Sequence, residues 1–128
     1  MEINEQPKNI MLICVGNQNR SVYSEYYMQD KLKIRGYETI KISSAGVAVG
    51  VCLERQGRQF TTDLGEKADR LIAMDESVEY SLLNSFNQQK KKITTLHILD
   101  IYDQDIEGLV KELDKQLLPI INKYFPAR

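Results

Sequence analysis

Cys14 and Arg20 are the residues whose types and spacing could do chemistry, and the stretch that holds them is Asn9-Ile-Met-Leu-Ile-Cys14-Val-Gly-Asn-Gln-Asn-Arg20-Ser21. An apolar run ends in the cysteine. A short segment of Val15, Gly16, Asn17, Gln18 and Asn19 follows, then Arg20 and Ser21 open a helical pattern. The order is strand, phosphate-sized loop, helix. A loop at a helix start gathers backbone N–H groups into one concavity, and the helix dipole adds partial positive charge there. Such a place favours a dianionic oxyanion and a thiolate, the form of cysteine that attacks. An arginine supplies a planar fork for two phosphate oxygens at once. A serine at that point can cap the helix or hydrogen-bond the sulfur.

The Cys-x5-Arg spacing is weak by itself, and it occurs twice, at Cys14–Arg20 and at Cys52–Arg58. The second copy carries Glu54 inside the loop, which would repel phosphate, and has no strong strand before it. The first copy has the strand–turn–helix context that the chemistry needs. A free cysteine at a strand end is otherwise commonly a buried packing residue. Gly16, Asn17 and Arg20 set Cys14 apart from that reading.

The elements that must position these residues alternate along the chain. Residues 1–8 read as a polar lead-in and 9–128 as one domain. Asn9–Cys14 reads as a strand buried on both faces. Ser21–Arg35 has helical spacing, ended by Gly36. Tyr37–Ser44 alternates as a second strand, and Ser44-Ala45-Gly46 reads as a turn of small residues that lets a neighbouring loop come close. A loop and then a helix over about 54–64 are expected next. Asp69–Met74 is a third strand, Asp75-Glu76-Ser77 starts a helix to about Phe86, and Asn87–Lys92 is a solvated basic turn. Ile93–Leu99 is a fourth strand, and an acidic loop, Asp100 to Asp105, leads into an amphipathic helix from Ile106 to Tyr124 that Pro119 kinks or breaks.

That order predicts an α/β fold: three-layer α/β/α, Rossmann-like, with a four-stranded parallel sheet, right-handed crossovers and the phosphate loop after strand 1. Ligands on such sheets bind beyond the C-terminal strand ends. The Cys14 loop, the Ser44 turn, the Asp75 turn and the Asp103 loop all belong to that edge.

Length and composition bound the alternatives. At 128 residues, 27% charged and 42% hydrophobic, the chain is an ordinary globular one. A net charge of −1 gives no basic excess for nucleic acid. No apolar stretch approaches the roughly 20 residues of a membrane span, and residues 1–8 lack a signal-peptide core. The expectation is a cytoplasmic protein with no membrane partner. With His97 as the one histidine and no Cys/His cluster, no metal is expected; His97, in an apolar strand, reads as a satisfied structural residue.

These residues resemble the low-molecular-weight protein tyrosine phosphatases. Cys14-Val-Gly-Asn-Gln-Asn-Arg20-Ser21 lies near the N-terminus and runs into a helix, whereas the larger classical tyrosine phosphatases carry their cysteine loop late. Ser43-Ser44-Ala45-Gly46 resembles the family's second-strand motif, Asp69–Met74 its third strand, and Leu99-Asp-Ile-Tyr-Asp103 the segment with its general acid. The resemblance spans most of 9–124 and is weakest over 47–68. It implies that Cys14 attacks phosphorus to form a phosphocysteine. Arg20 and the loop N–H groups of Val15, Gly16, Asn17, Gln18 and Asn19 hold the phosphoryl oxygens. Asp103 serves as acid and then base. Asn17 and Ser44 brace the loop, Ser21 supports the thiolate, and no cofactor is required. The substrate would be a phosphorylated protein or a small phosphomonoester, with oligomeric state left open.

The chain departs from the family pattern at four points. Gln104 stands where a proline usually follows the acid, which leaves Asp100 and Asp105 as rivals to Asp103. The flanking aromatics are missing, with Tyr102 a partial substitute. Asn19 replaces a cysteine that forms a protective disulfide, and Val22 replaces a proline. Two other readings share the fold or the loop: an arsenate reductase, for which Cys52 is the sole additional cysteine, and a catalytically weak phospho-binding module.

Overall fold

The computed structural model describes residues 6–17, 20–49, 57–99, 101, 102 and 105–127. Four strands, β1 (Asn9–Cys14), β2 (Lys41–Gly46), β3 (Arg70–Ala73) and β4 (Ile93–Thr95), form one sheet in the order β2-β1-β3-β4. Every pairing is parallel. The helices are α1 (Arg20–Ile34), α2 (Thr62–Lys67), α3 (Glu76–Asn84), α4 (Ile106–Gln116) and α5 (Leu118–Tyr124).

Alternation along the strands sorts the core into two halves. Ile10, Leu12 and Cys14 of β1 point to the face covered by α1, α4 and α5, where they join Met28, Leu32, Leu109, Leu113, Leu117 and Ile121. Met11 and Ile13 point to the other face, with Leu71, Val78, Leu82 and Phe60. The chain moves one way from β1 to β2 and the other way from β2 to β3. Crossovers of one hand must then place α1 on one face and α2 and α3 on the other. The strand order therefore reverses beside β1, which puts the end of β1 at the crevice where such sheets bind ligands.

The first strand matches the sequence expectation to the residue. Gly36 ends α1 with φ 84°, the Tyr37 N–H reaches Leu32 O at 2.9 Å, and the Gly36 N–H reaches Lys33 O at 3.1 Å. This is a Schellman ending, in which a left-handed residue satisfies the last carbonyls. The second strand begins later than expected because Tyr37 turns into the core edge-on to Phe125, 5.3 Å between ring centroids. Ser44-Ala45-Gly46 is the end of that strand and not a turn. The helix expected over 54–64 begins instead at Thr62, whose N-cap Thr61 accepts from the Leu64 N–H at 3.1 Å. Within the described part of that span, Gln59 bridges Gly46 as an added parallel rung.

β4 is shorter than expected, but the Leu96 and Ile98 N–H groups continue bonding to Ala73 O and Met74 O. His97 is exposed, and its backbone is clasped by the Gln116 amide at 2.6 and 3.1 Å. The long C-terminal helix breaks at Leu117, because Pro119 in the first turn of α5 has no N–H for the preceding turn. The apolar stripe Leu109, Leu113, Leu117, Ile121 and Phe125 runs straight through the break, all fully buried. Residues 6–8, the described end of the lead-in, are tied down: the Gln6 amide donates to Tyr124 O and the Lys8 N–H to Asp69. No helix among the described residues is long and apolar enough to cross a membrane.

Replacing Gly36 with Ala forces a Cβ into left-handed backbone. The expected cost is roughly 1–2 kcal/mol, read as a lower urea midpoint with an unchanged slope.

Candidate active site

Cys14 ends β1 and is 3% exposed. Beyond it the chain turns sharply. Val15 is solvent-facing, and Asn17 takes φ 55° while only 1% exposed. Left-handed backbone is costly for most side chains, and asparagine is among the few that adopt it routinely. The inversion aims the Asn17 N–H back at the Cys14 Sγ, 3.1 Å away. Ser21, fully buried in the first turn of α1, places its Oγ 2.9 Å from the same sulfur. The sulfur thus sits against two groups able to donate to it.

Two glycines lie close against residues 15–17. A Cβ on Gly46 would meet the Val15 carbonyl oxygen and come within 2.8 Å of the Asn17 nitrogen. A Cβ on Gly57 would lie 2.8 Å from Gly16 O and 2.9 Å from Asn17 Cβ. Both positions need the missing side chain so that backbone can pass backbone. The Val47 N–H donates to Cys14 O at 3.0 Å and the Ala48 N–H to Val15 O at 2.9 Å, so the segment after β2 backs the start of the loop.

The Asn17 side chain joins these pieces. Its Nδ2 donates to Ser21 Oγ at 2.9 Å and to Ser44 Oγ at 3.0 Å, and its Oδ1 accepts the Arg58 N–H at 2.7 Å. The structure therefore brings Cys14, Asn17, Ser21 and Ser44 together. Arg58 of the second Cys-x5-Arg copy takes part through its backbone, while its side chain is exposed. Cys52 lies outside the described residues, as do Gln18, Asn19, Asp100, Asp103 and Gln104.

Arg20 is 3% exposed. Its Nη1 donates to Asp75 Oδ2 at 2.6 Å and to Ile98 O at 2.8 Å. A buried guanidinium needs such partners, since an uncompensated buried charge costs several kcal/mol. Asp75 is the site residue that the sequence reading placed at this edge without a role. Its Oδ1 also caps α3, accepting from the Val78 N–H at 2.9 Å and the Ser77 hydroxyl at 2.8 Å. Partial burial works against its ionisation, but the Arg20, Val78 and Ser77 hydrogen bonds outweigh burial and hold its carboxyl below the ordinary range. The sequence signal for it was a helix-capping Asp directly after a strand at the C-terminal edge of the sheet.

Of the acid candidates, Asp105 is described. It caps α4, with Oδ1 accepting from the Gly108 N–H at 2.9 Å. Tyr102 is half-buried and packs against the α1–α4 side of the core, and so contributes to packing. No cluster of three or more His, Cys, Asp or Glu side chains suited to a metal ion occurs among the described residues.

A cysteine loop at the switch point of a small parallel sheet is the architecture of the low-molecular-weight phosphatases. Residues 9–57 match the family model described as low molecular weight phosphotyrosine protein phosphatase. The low molecular weight protein tyrosine phosphatase from T. tengcongensis superposes with a TM-score of 0.72 at 21% identity, over 89% of this chain and 95% of that one. The tyrosine phosphatase Wzb from Escherichia coli K30, in complex with phosphate, gives 0.68 at 24% identity over 85% and 92%. The YwlE arginine phosphatase from Geobacillus stearothermophilus gives 0.68 at 20% identity over 91% and 90%. Comparison with curated protein sequences finds no match. The resemblance read from the motif residues thus holds: the chain has this fold, and its loop segment carries the family's sequence pattern.

The Arg20–Asp75 pair has a pH signature. A carboxyl depressed in the folded state stabilises the fold above its unfolded value, about 4, and that stability is lost as pH falls through the lower folded value. Asp75→Asn should destabilise by on the order of 2 kcal/mol at pH 7. The gap to wild type should shrink on acidification, as measured by urea unfolding between pH 3 and pH 7.

Proposed function

We propose that the chain is a cysteine-dependent phosphomonoester hydrolase of the protein tyrosine phosphatase type. The observation that carries this reading is the Cys14 sulfur at the end of β1, facing both the Asn17 N–H and the Ser21 hydroxyl. In the proposed cycle the Cys14 thiolate attacks phosphorus in line. The bond to the leaving oxygen breaks as the S–P bond forms. The loop N–H groups of residues 15–19 and the fork of Arg20 balance the charge on the equatorial oxygens. Asp103 gives its proton to the leaving oxygen. Asp103, now a carboxylate, takes a proton from water as that water attacks the phosphocysteine, releasing phosphate and restoring the thiolate.

The Nη1 of Arg20 is held by Asp75 and Ile98 O, which limits the motion of the fork that this role needs. Ser44 braces the loop through Asn17. Asp105 is occupied as an α4 cap, which favours Asp103 as the acid. The substrate is proposed to be a phosphorylated protein side chain, phosphotyrosine among the candidates, or a small phosphomonoester, in a cytoplasmic setting. Solved neighbours named as a tyrosine phosphatase and as an arginine phosphatase leave both leaving groups to be tested. The arsenate-reductase reading has no supporting observation.

Wild-type protein should hydrolyse para-nitrophenyl phosphate at mildly acidic pH without added metal. Cys14→Ser should fall to background and Cys52→Ser should retain turnover. No turnover by folded, reduced wild type would leave a phospho-binding module. With a poor leaving group, Asp103→Asn should lower kcat by about 100-fold or more. Asp105→Asn should stay within a few-fold of wild type, because asparagine caps a helix as well as aspartate. Equal losses, or a larger loss at Asp105, would reassign the acid.

A further inference from the structure

The direction of the hydrogen bonds around Cys14 follows from two ends that have no choice. One end is the Arg58 backbone N–H, a donor, 2.7 Å from Asn17 Oδ1. It fixes which way the Asn17 amide faces, so the NH2 is directed to Ser21 Oγ and Ser44 Oγ at 2.9 and 3.0 Å. An amide nitrogen donates, so both hydroxyl oxygens accept from it. The other end is Glu25, on α1. A carboxylate accepts, so the Ser44 hydroxyl, 2.6 Å from Glu25 Oε1, donates its proton there. The Ser21 oxygen already accepts from Asn17. Its proton is left for the Cys14 sulfur 2.9 Å away, the one contact in the series whose donor geometry alone leaves open.

We propose that Glu25 is a positioning residue for the nucleophile. By taking the Ser44 proton it joins the Arg58 N–H in holding Ser44, Asn17 and Ser21 in the arrangement that points the Ser21 O–H at sulfur. Without that acceptor the Ser44 proton turns back towards the Asn17 amide, where donor meets donor. The amide then keeps its sense through the Arg58 N–H alone, and its hold on the Ser21 hydroxyl loosens. Glu25 is itself held by the Gln29 amide, which donates to Oε2 at 3.1 Å. Tyr26 and Arg58 line the same polar cavity as Glu25.

The carboxylate has a second, opposing action. Its negative field disfavours a thiolate, while its acceptor role favours one. Substitutions separate the two. Glu25→Gln removes the charge and keeps an acceptor; Glu25→Leu removes both. The proposal rests on the phosphatase reading, but its test needs no turnover: the rate of iodoacetamide alkylation of Cys14 against pH, in a Cys52→Ser background, with folding checked by circular dichroism. Glu25→Leu should raise the midpoint by about half to one pH unit, a slowing of about 3- to 10-fold below it. Glu25→Gln should leave the midpoint at or below that of the parent. A rise in both variants also supports the proposal and makes the charge part of the requirement. Equal falls in both would reduce Glu25 to its field, and no movement in either would reduce it to structure; both results overturn the proposal. Should Glu25→Leu not fold, Ser44→Ala interrupts the same link, and a midpoint that stays put there overturns it too. A parent that alkylates as described but hydrolyses nothing would sink the phosphatase reading alone.

Discussion

The side-chain amide of Asn17 is the joint on which the site depends. Its backbone is held at φ 55°, a conformation that costs an ordinary residue roughly 1–2 kcal/mol. Its three side-chain hydrogen bonds to Ser21, Ser44 and Arg58 are each worth about 1 kcal/mol net. Strain and bonding are therefore of similar size, and the bonds keep the inversion in place. The inversion in turn is what directs the Asn17 N–H at the sulfur. Gly46 and Gly57, on neighbouring stretches of backbone, lie close against residues 15–17.

The sheet supplies the rest by topology. β1 is flanked by β2 and β3, and the helices change faces at that point. Four stretches distant in sequence, ending at Cys14, Gly46, Met74 and Ile98, therefore deliver their next residues to one edge. Ser44 reaches the loop from β2, Asp75 reaches Arg20 from the start of α3, and Ile98 O reaches it from beyond β4. A buried arginine is tolerated there because the start of α3 and the segment after β4 both hold it.

Much of this was legible in the sequence wherever one physical effect dominated. Asn9–Cys14 read correctly because a strand buried on both faces is a continuous apolar run. The α3 start read correctly because Asp75 is a strong cap. Ser44-Ala45-Gly46 misled because smallness usually marks a turn. Here it marks a strand end that a second backbone crosses. Tyr37 looked like strand alternation, but its ring packs against Phe125, a contact made across almost the whole chain. The helix expected over 54–64 ran against the extended rung of Gln59 on Gly46, which propensity does not encode. Asp75 was placed at the edge without a role, and Glu25 was not singled out, because their importance lies in what they touch through space. Asp103, outside the described residues, rests on the resemblance alone.

The bond from Arg20 to Ile98 O spans a sequence separation of 78 residues. On a ribosome Cys14 emerges well before the Ile98 carbonyl that secures Arg20. Closing a loop of that size costs roughly 4 kcal/mol of chain entropy beyond a constant, so the contact forms only once β3 and β4 already lie beside β1. Until then Cys14 sits on an unfinished sheet. The chain thus completes the surroundings of that sulfur at the end of folding, when the later strands are there to enclose it.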